Sequence, residues 1–73
     1  MIHNKENKIQ TLLENFKQVE KSDNCKNVAE YAGLEAQSDP YFFDWLFESD
    51  YSGRLTKKQE TEFRDFLNEL ENY

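Results

Sequence analysis

The chain has 73 residues, a formal net charge of −6, one cysteine and one histidine. That length allows one domain, near the size at which a single core is only marginally sufficient. Lone Cys25 excludes an internal disulfide and leaves no cysteine pair for zinc, so its expected role is that of a small apolar filler. No run approaches the ~20 apolar residues of a membrane span, and residues 1–10 hold no apolar block of the signal-peptide kind. The expectation is a cytoplasmic protein.

The residues predict an all-α fold, a compact three- or four-helix bundle with helices over roughly 4–21, 24–37, 40–49 and 57–72. In the first, Ile9, Leu12, Leu13, Phe16 and Val19 follow the i, i+3, i+4, i+7 spacing of one helical face. Glu6 sits in its first turn and Lys17 and Lys21 in its last, complementing the macrodipole. Ser22-Asp23-Asn24 offers a break and a fresh N-cap, since short side-chain oxygens compete for the amides of a helix start. In the second helix Cys25, Val28, Ala29, Ala32 and Ala36 make a face of small residues, suited to close packing against a bulky neighbour. Gly33 is either the residue just past this helix's end or an interior glycine, in which case the helix runs on to Gln37.

The third segment is the most hydrophobic. Asp39 reads as an N-cap and Pro40 as the first helical residue, and six of the seven residues from Tyr41 to Phe47 are apolar or aromatic. They cover nearly the whole circumference of two turns, so this helix is expected to be wrapped by the others or left open on one side for a partner. Asp50-Tyr51-Ser52-Gly53 clusters turn formers. Thr56-Lys57-Lys58-Gln59 is a capping box, and Phe63, Phe66, Leu67 and Leu70 form the stripe of the last helix. The charges of that helix oppose its macrodipole, with Lys57 and Lys58 in the first turn and Glu69 and Glu71 in the last. No segment alternates with period two, so no sheet is expected.

The chemistry of catalysis finds no seat. His3 stands in a terminal stretch expected to fray, which leaves Cys25 without a base, and two glycines do not make a phosphate loop. Asp44, Glu48 and Asp50 lack the spacing of a calcium loop. Glu35 with Asp39, and Asp44 with Glu48, share helical spacing but read as exposed acidic surface rather than as acid/base dyads. The expectation is a non-enzymatic protein without metal or cofactor.

The acid is unevenly placed: no Lys or Arg occurs between Asn27 and Gly53, where Glu30, Glu35, Asp39, Asp44, Glu48 and Asp50 supply six carboxylates. Such a field repels nucleic acid and anionic membranes and speeds encounter with basic protein surfaces; it also keeps a hydrophobic little protein soluble. Eleven aromatic rings are more than so small a core easily holds. Tyrosine and tryptophan concentrate at interface hot spots. The candidate partner-binding residues are therefore Tyr41, Asp44, Trp45, Glu48, Asp50 and Tyr51, with Trp45 also fitting the role of core anchor.

Asp39-Pro40-Tyr41 followed by Trp45-Leu46 resembles the short module that follows exodeoxyribonuclease-X-like nuclease domains. The glycine- and base-rich start of that module is missing, and no DNA-processing role is carried over. As a whole the chain resembles, in composition, the small acidic phage proteins that block bacterial defence systems, anti-CRISPR proteins among them: one domain, high negative charge, no catalytic motif. That resemblance implies a host-cytoplasmic inhibitor whose partner is basic and handles nucleic acid, as CRISPR effectors do in their channels for guide and target. The alternative is a small oligomerisation module that closes an open aromatic face by homodimerising.

Overall fold

The computed structural model describes residues 2–73, the side chains of Lys21 and Ser22 excepted. Four α-helices follow in order, α1 Lys5–Gln18, α2 Val28–Ser38, α3 Phe42–Phe47 and α4 Lys57–Leu70, with a 3₁₀ turn at Glu20–Asn24 between the first two. No strand occurs among the described residues, and the fold is an all-α single domain. Its Cα radius of gyration of 11.6 Å matches the ~11 Å expected of a folded chain of this length.

Helix α1 is shorter than its apolar stripe suggested. Val19 turns into extended backbone, its N–H donating to the Asn15 carbonyl. Lys21 therefore falls in the 3₁₀ turn and not in the last turn of the helix. The break predicted at Ser22-Asp23-Asn24 is taken by that turn, and the cap of α2 comes later. Asn27, in extended backbone, accepts through Oδ1 from the Glu30 amide at 3.0 Å. That satisfies one of the amides a helix start leaves open. Helix α2 then passes through Gly33 without interruption.

The start of α3 also differs from expectation. Asp39 belongs to the end of α2, its N–H donating to the Glu35 carbonyl at 2.8 Å. Its own carbonyl accepts from Phe42 N–H at 3.2 Å and its Oδ1 from Tyr41 N–H at 2.9 Å. With Pro40 at the second position and Tyr41 at φ −101°, ψ 2°, this is a type I turn reinforced by an Asx contact. The proline fixes a turn, not a first helical residue, because Asp39 is already committed to closing α2. The helix proper begins at Phe42 and lasts six residues.

Helix α2, not α3, is the hub: it packs against α1, α3 and α4. Its Val28, Ala29, Tyr31 and Ala32 are buried with Ile9 and Leu12 of α1, Phe42 and Leu46 of α3, and Phe66 and Leu70 of α4. The small-residue face does what small residues permit, close approach, but on several sides at once. Cys25 is buried and free, an apolar filler as expected. Ile2, which no periodicity announced, is buried as well, and Lys5 pairs with Glu69 at 2.9 Å. The start of the chain is thus laid on α4. The Glu69 carboxylate, first through its hydrogen bond and then through its charge, holds Lys5 above its ordinary pKa. One acid at the disfavoured end of α4 has in this way a partner on α1.

Helix α4 starts as its sequence dictates: Thr56 Oγ1 accepts from the Gln59 amide at 3.1 Å and Gln59 Oε1 from the Thr56 amide at 3.0 Å. Before it, Gly53 takes φ +93°, the left-handed conformation that the turn demands.

Candidate functional site

The aromatic residues of α3 are sorted by the six-residue helix into two sides. Phe42 and Leu46, four apart, are buried in the shared core. Phe43, Trp45 and Phe47 are half-buried and meet rings from elsewhere. Phe43 is the meeting point: Phe63 of α4 stands edge-on to it at 5.1 Å, Tyr51 of the following loop lies at 5.0 Å, and Phe47 stacks at 6.1 Å. Phe42 lies 5.6 Å from Trp45 and 6.2 Å from Phe63. Separations of this order are those favoured by aromatic quadrupoles. The cluster closes α3 and its loop onto α4, and this accommodates most of the rings that seemed too many for the core.

The six candidate residues receive different environments. Tyr41, at the tip of the Asp39–Phe42 turn, is 71% exposed. Asp50 is exposed too, in the loop after α3. Tyr51 is half-buried by its contact with Phe43, which leaves its ring only partly available. Asp44 is half-buried, and its Oδ1 is shielded from solvent without a hydrogen-bond partner among the described residues. A shielded, unpaired carboxylate oxygen is costly, so Asp44 is no freely exposed charge. Trp45 is half-buried, its ring packed beside that of Phe42.

Glu48 ends α3 in the left-handed region, at φ 52° and ψ 41°. Any residue with a Cβ pays sterically for this conformation, by about 1–2 kcal/mol. Its carboxylate lies 3.8 Å from Nζ of Lys8, and the same ammonium sits 4.9 Å from the centroid of the Trp45 ring. Lys8 is the residue the sequence did not reveal. It lies on α1, far from Trp45 along the chain, and its side chain is only 11% exposed. Nothing in the sequence pairs it with α3; the α1 stripe places it beside Ile9, at the edge of the buried face.

Surface hollows occur elsewhere among the described residues. One of about 390 Å³ lies between the start of the chain and α4, lined by Ile2, Lys5, Phe66 and Glu69 among others. Another, about 270 Å³, lies beside Phe47, Thr56 and Gln59. Neither gathers the candidate residues. Among the described residues no group of three or more His, Cys, Asp or Glu side chains is arranged to hold a metal ion, and no helix is long and apolar enough to cross a membrane.

No family model, no curated protein and no solved structure matches this chain. The functional reading accordingly rests on its own surface.

Proposed function

We propose that this protein is a non-enzymatic acidic binding protein that docks on a basic, nucleic-acid-handling surface of a partner protein and inhibits it, as an anti-CRISPR or other anti-defence protein does. The observation that carries the reading is Tyr41. A tyrosine 71% exposed at the tip of a hydrogen-bonded turn lies within the stretch from Asn27 to Gly53 that holds six carboxylates and no Lys or Arg. An amphipathic ring on a turn fixed by Pro40 is an anchor that loses little conformational freedom on binding. Exposed Asp39, Glu48 and Asp50 supply the field that steers a basic surface toward it. In this reading the protein acts in the cytoplasm, that of the host where a phage encodes it, and a CRISPR effector is one partner of the right chemistry.

The oligomerisation alternative draws less support, because the rings of α3 that would form a dimer interface are already engaged by Phe63 and Tyr51. Mass in solution separates the two: a monomer supports docking on another protein, and a stable dimer supports the alternative.

The test of inhibition is competition. A purified, guide-loaded CRISPR effector and other basic nucleic-acid-handling proteins are titrated with the chain while their binding to target DNA is followed. Loss of DNA binding as the chain associates is the expected result. Simultaneous binding of DNA and the chain would defeat the inhibitory step, and failure to bind any of them would defeat the docking reading.

A further inference from the structure

We propose that the Trp45 indole and the Glu48 carboxylate form a receptor for an arginine side chain of the partner, filled in the free protein by the chain's own Lys8. The inference rests on the docking reading above and names the group that this part of the acidic face recognises.

The free protein already displays the receptor with an occupant. The Lys8 ammonium lies 4.9 Å from the Trp45 ring centroid and 3.8 Å from a Glu48 oxygen, with its side chain only 11% exposed. A cation within about 6 Å of an indole centroid is attracted by the ring quadrupole. The distance to Glu48, however, is beyond that of a hydrogen bond. The occupant is thus held by ring and field without completing a bonded ion pair. Phe42, buried and 5.6 Å from Trp45, braces the indole. Glu48 is held in the left-handed region at the end of α3, a conformation that a side-chain-bearing residue adopts only where its surroundings impose it.

Lysine is the weaker fit to such a pair. Its ammonium is compact and strongly hydrated, whereas a guanidinium is planar, less hydrated, stacks on an aromatic face and donates parallel N–H groups to a carboxylate. An arginine delivered by the partner therefore gains both contacts where Lys8 makes one and a loose second. Lys8 must leave first, and a receptor occupied by its own chain binds more weakly in proportion to the occupied fraction. Lys8 acts as a plug that screens the site from weaker cations.

The experiment uses the full chain and two probes, a short Arg/Gly peptide and its Lys/Gly counterpart, at low salt. Trp45 is the one tryptophan, so its fluorescence reports on the receptor itself. Lys8→Met keeps the apolar stem and removes the charge; Lys17→Met, exposed on the same helix, makes the same change in net charge away from the ring. Thermal melts check that each variant folds. Lys8→Met is expected to bind the Arg/Gly peptide about three- to tenfold more tightly than the parent, the range of a cation–π contact released to a competitor. Lys17→Met should stay within about twofold, as a distant screened charge does. The gain should be smaller for the Lys/Gly peptide, and Glu48→Gln in the Lys8→Met background should remove it. Lys8→Arg, which seats a guanidinium permanently, should bind the peptide more weakly than the parent and decides the matter if Lys8→Met does not fold. Equal tightening by Lys8→Met and Lys17→Met, or weaker binding by Lys8→Met, would overturn the receptor and leave docking intact. Absence of peptide binding by every form would overturn the receptor, while docking itself stands or falls by the competition titration with basic proteins.

Discussion

Leu46→Ala is the sharpest probe of how the aromatic segment is anchored. Leu46 is fully buried, 0% exposed, in the core cluster that α3 shares with α1, α2 and α4. Removing its outer carbons forfeits about 2–2.5 kcal/mol of transfer free energy at ~0.8 kcal/mol per buried methylene. The unfilled cavity adds to this, so the expected loss is about 3–4 kcal/mol, inside the range of measured leucine truncations. A domain of this length has a total stability of about 4–11 kcal/mol at the usual value per residue. The substitution should therefore remove between about a quarter and all of it. Urea denaturation followed by far-UV circular dichroism measures the effect. The midpoint should fall sharply with the m-value unchanged, while Leu34→Ala, at a position 39% exposed on α2, should cost no more than about 0.5 kcal/mol. A loss below about 1 kcal/mol for Leu46→Ala would mean that α3 unfolds separately from the core, and the rigid support claimed for Trp45 and Glu48 would be lost with it.

Thr56→Ala removes the Oγ1 that accepts from the Gln59 amide, leaving only the half of the capping box in which the Thr56 amide donates to Gln59 Oε1, and should cost about 1 kcal/mol in the same urea experiment. Glu48→Gly should act in the opposite direction: relief of the left-handed backbone outweighs a loose ion pair, 3.8 Å long and open to solvent on its Glu48 side, and the entropy of glycine, for a net gain of about 0.5 kcal/mol. The same variant should weaken binding of the Arg/Gly peptide, separating stability from recognition. Tyr31 gives a pH signature. Burial first, and the charge of Glu35 second, push its phenol above the ordinary value of 10.0. The folded state therefore keeps the proton that the unfolded state gives up, so the associated stability is complete below pH 10 and is lost as pH rises from there through the folded pKa. Stability measured across that alkaline window should decline more steeply for the parent than for Tyr31→Phe.

What the sequence disclosed was what depends on near neighbours. Thr56 and Gln59 specify the start of α4 because both halves of the capping box lie within one turn. The stripes of α1 and α4 named their buried residues because a helical face is a local property: Ile9, Leu12, Phe66 and Leu70 are all core. Asp39-Pro40 misled because one short motif serves two ends, and its aspartate was taken by α2 before α3 began. Asn27 with Glu30 was a legible cap, an asparagine followed three residues later by a glutamate, but Ser22-Asp23-Asn24 offered a competing one. Lys8 with Trp45, Lys5 with Glu69 and Ile2 in the core are products of tertiary packing, and no spacing rule connects them. The candidate site was legible in composition and not in geometry: Tyr41 and Asp50 are as exposed as their settings implied, whereas Asp44 is shielded and Tyr51 is partly spent on Phe43.

The shielding of Asp44 means that a lysine there would disturb the fold as well as the charge, and the pairing of Glu69 with Lys5 spoils it as a neutral control. The decisive comparison therefore uses exposed positions only. Affinity for a basic nucleic-acid-handling protein that the chain inhibits is measured across a salt series for the parent, for Tyr41→Ala combined with Asp50→Lys, and for Glu71→Lys, which makes the same change in charge at the end of α4. The docking account predicts that the parent weakens with added salt, that the Tyr41/Asp50 variant loses about tenfold or more, mainly through faster dissociation, and that Glu71→Lys stays within about twofold of the parent. Equal losses from the two variants would show that net charge alone drives association, and would contradict the assignment of a face built on Tyr41.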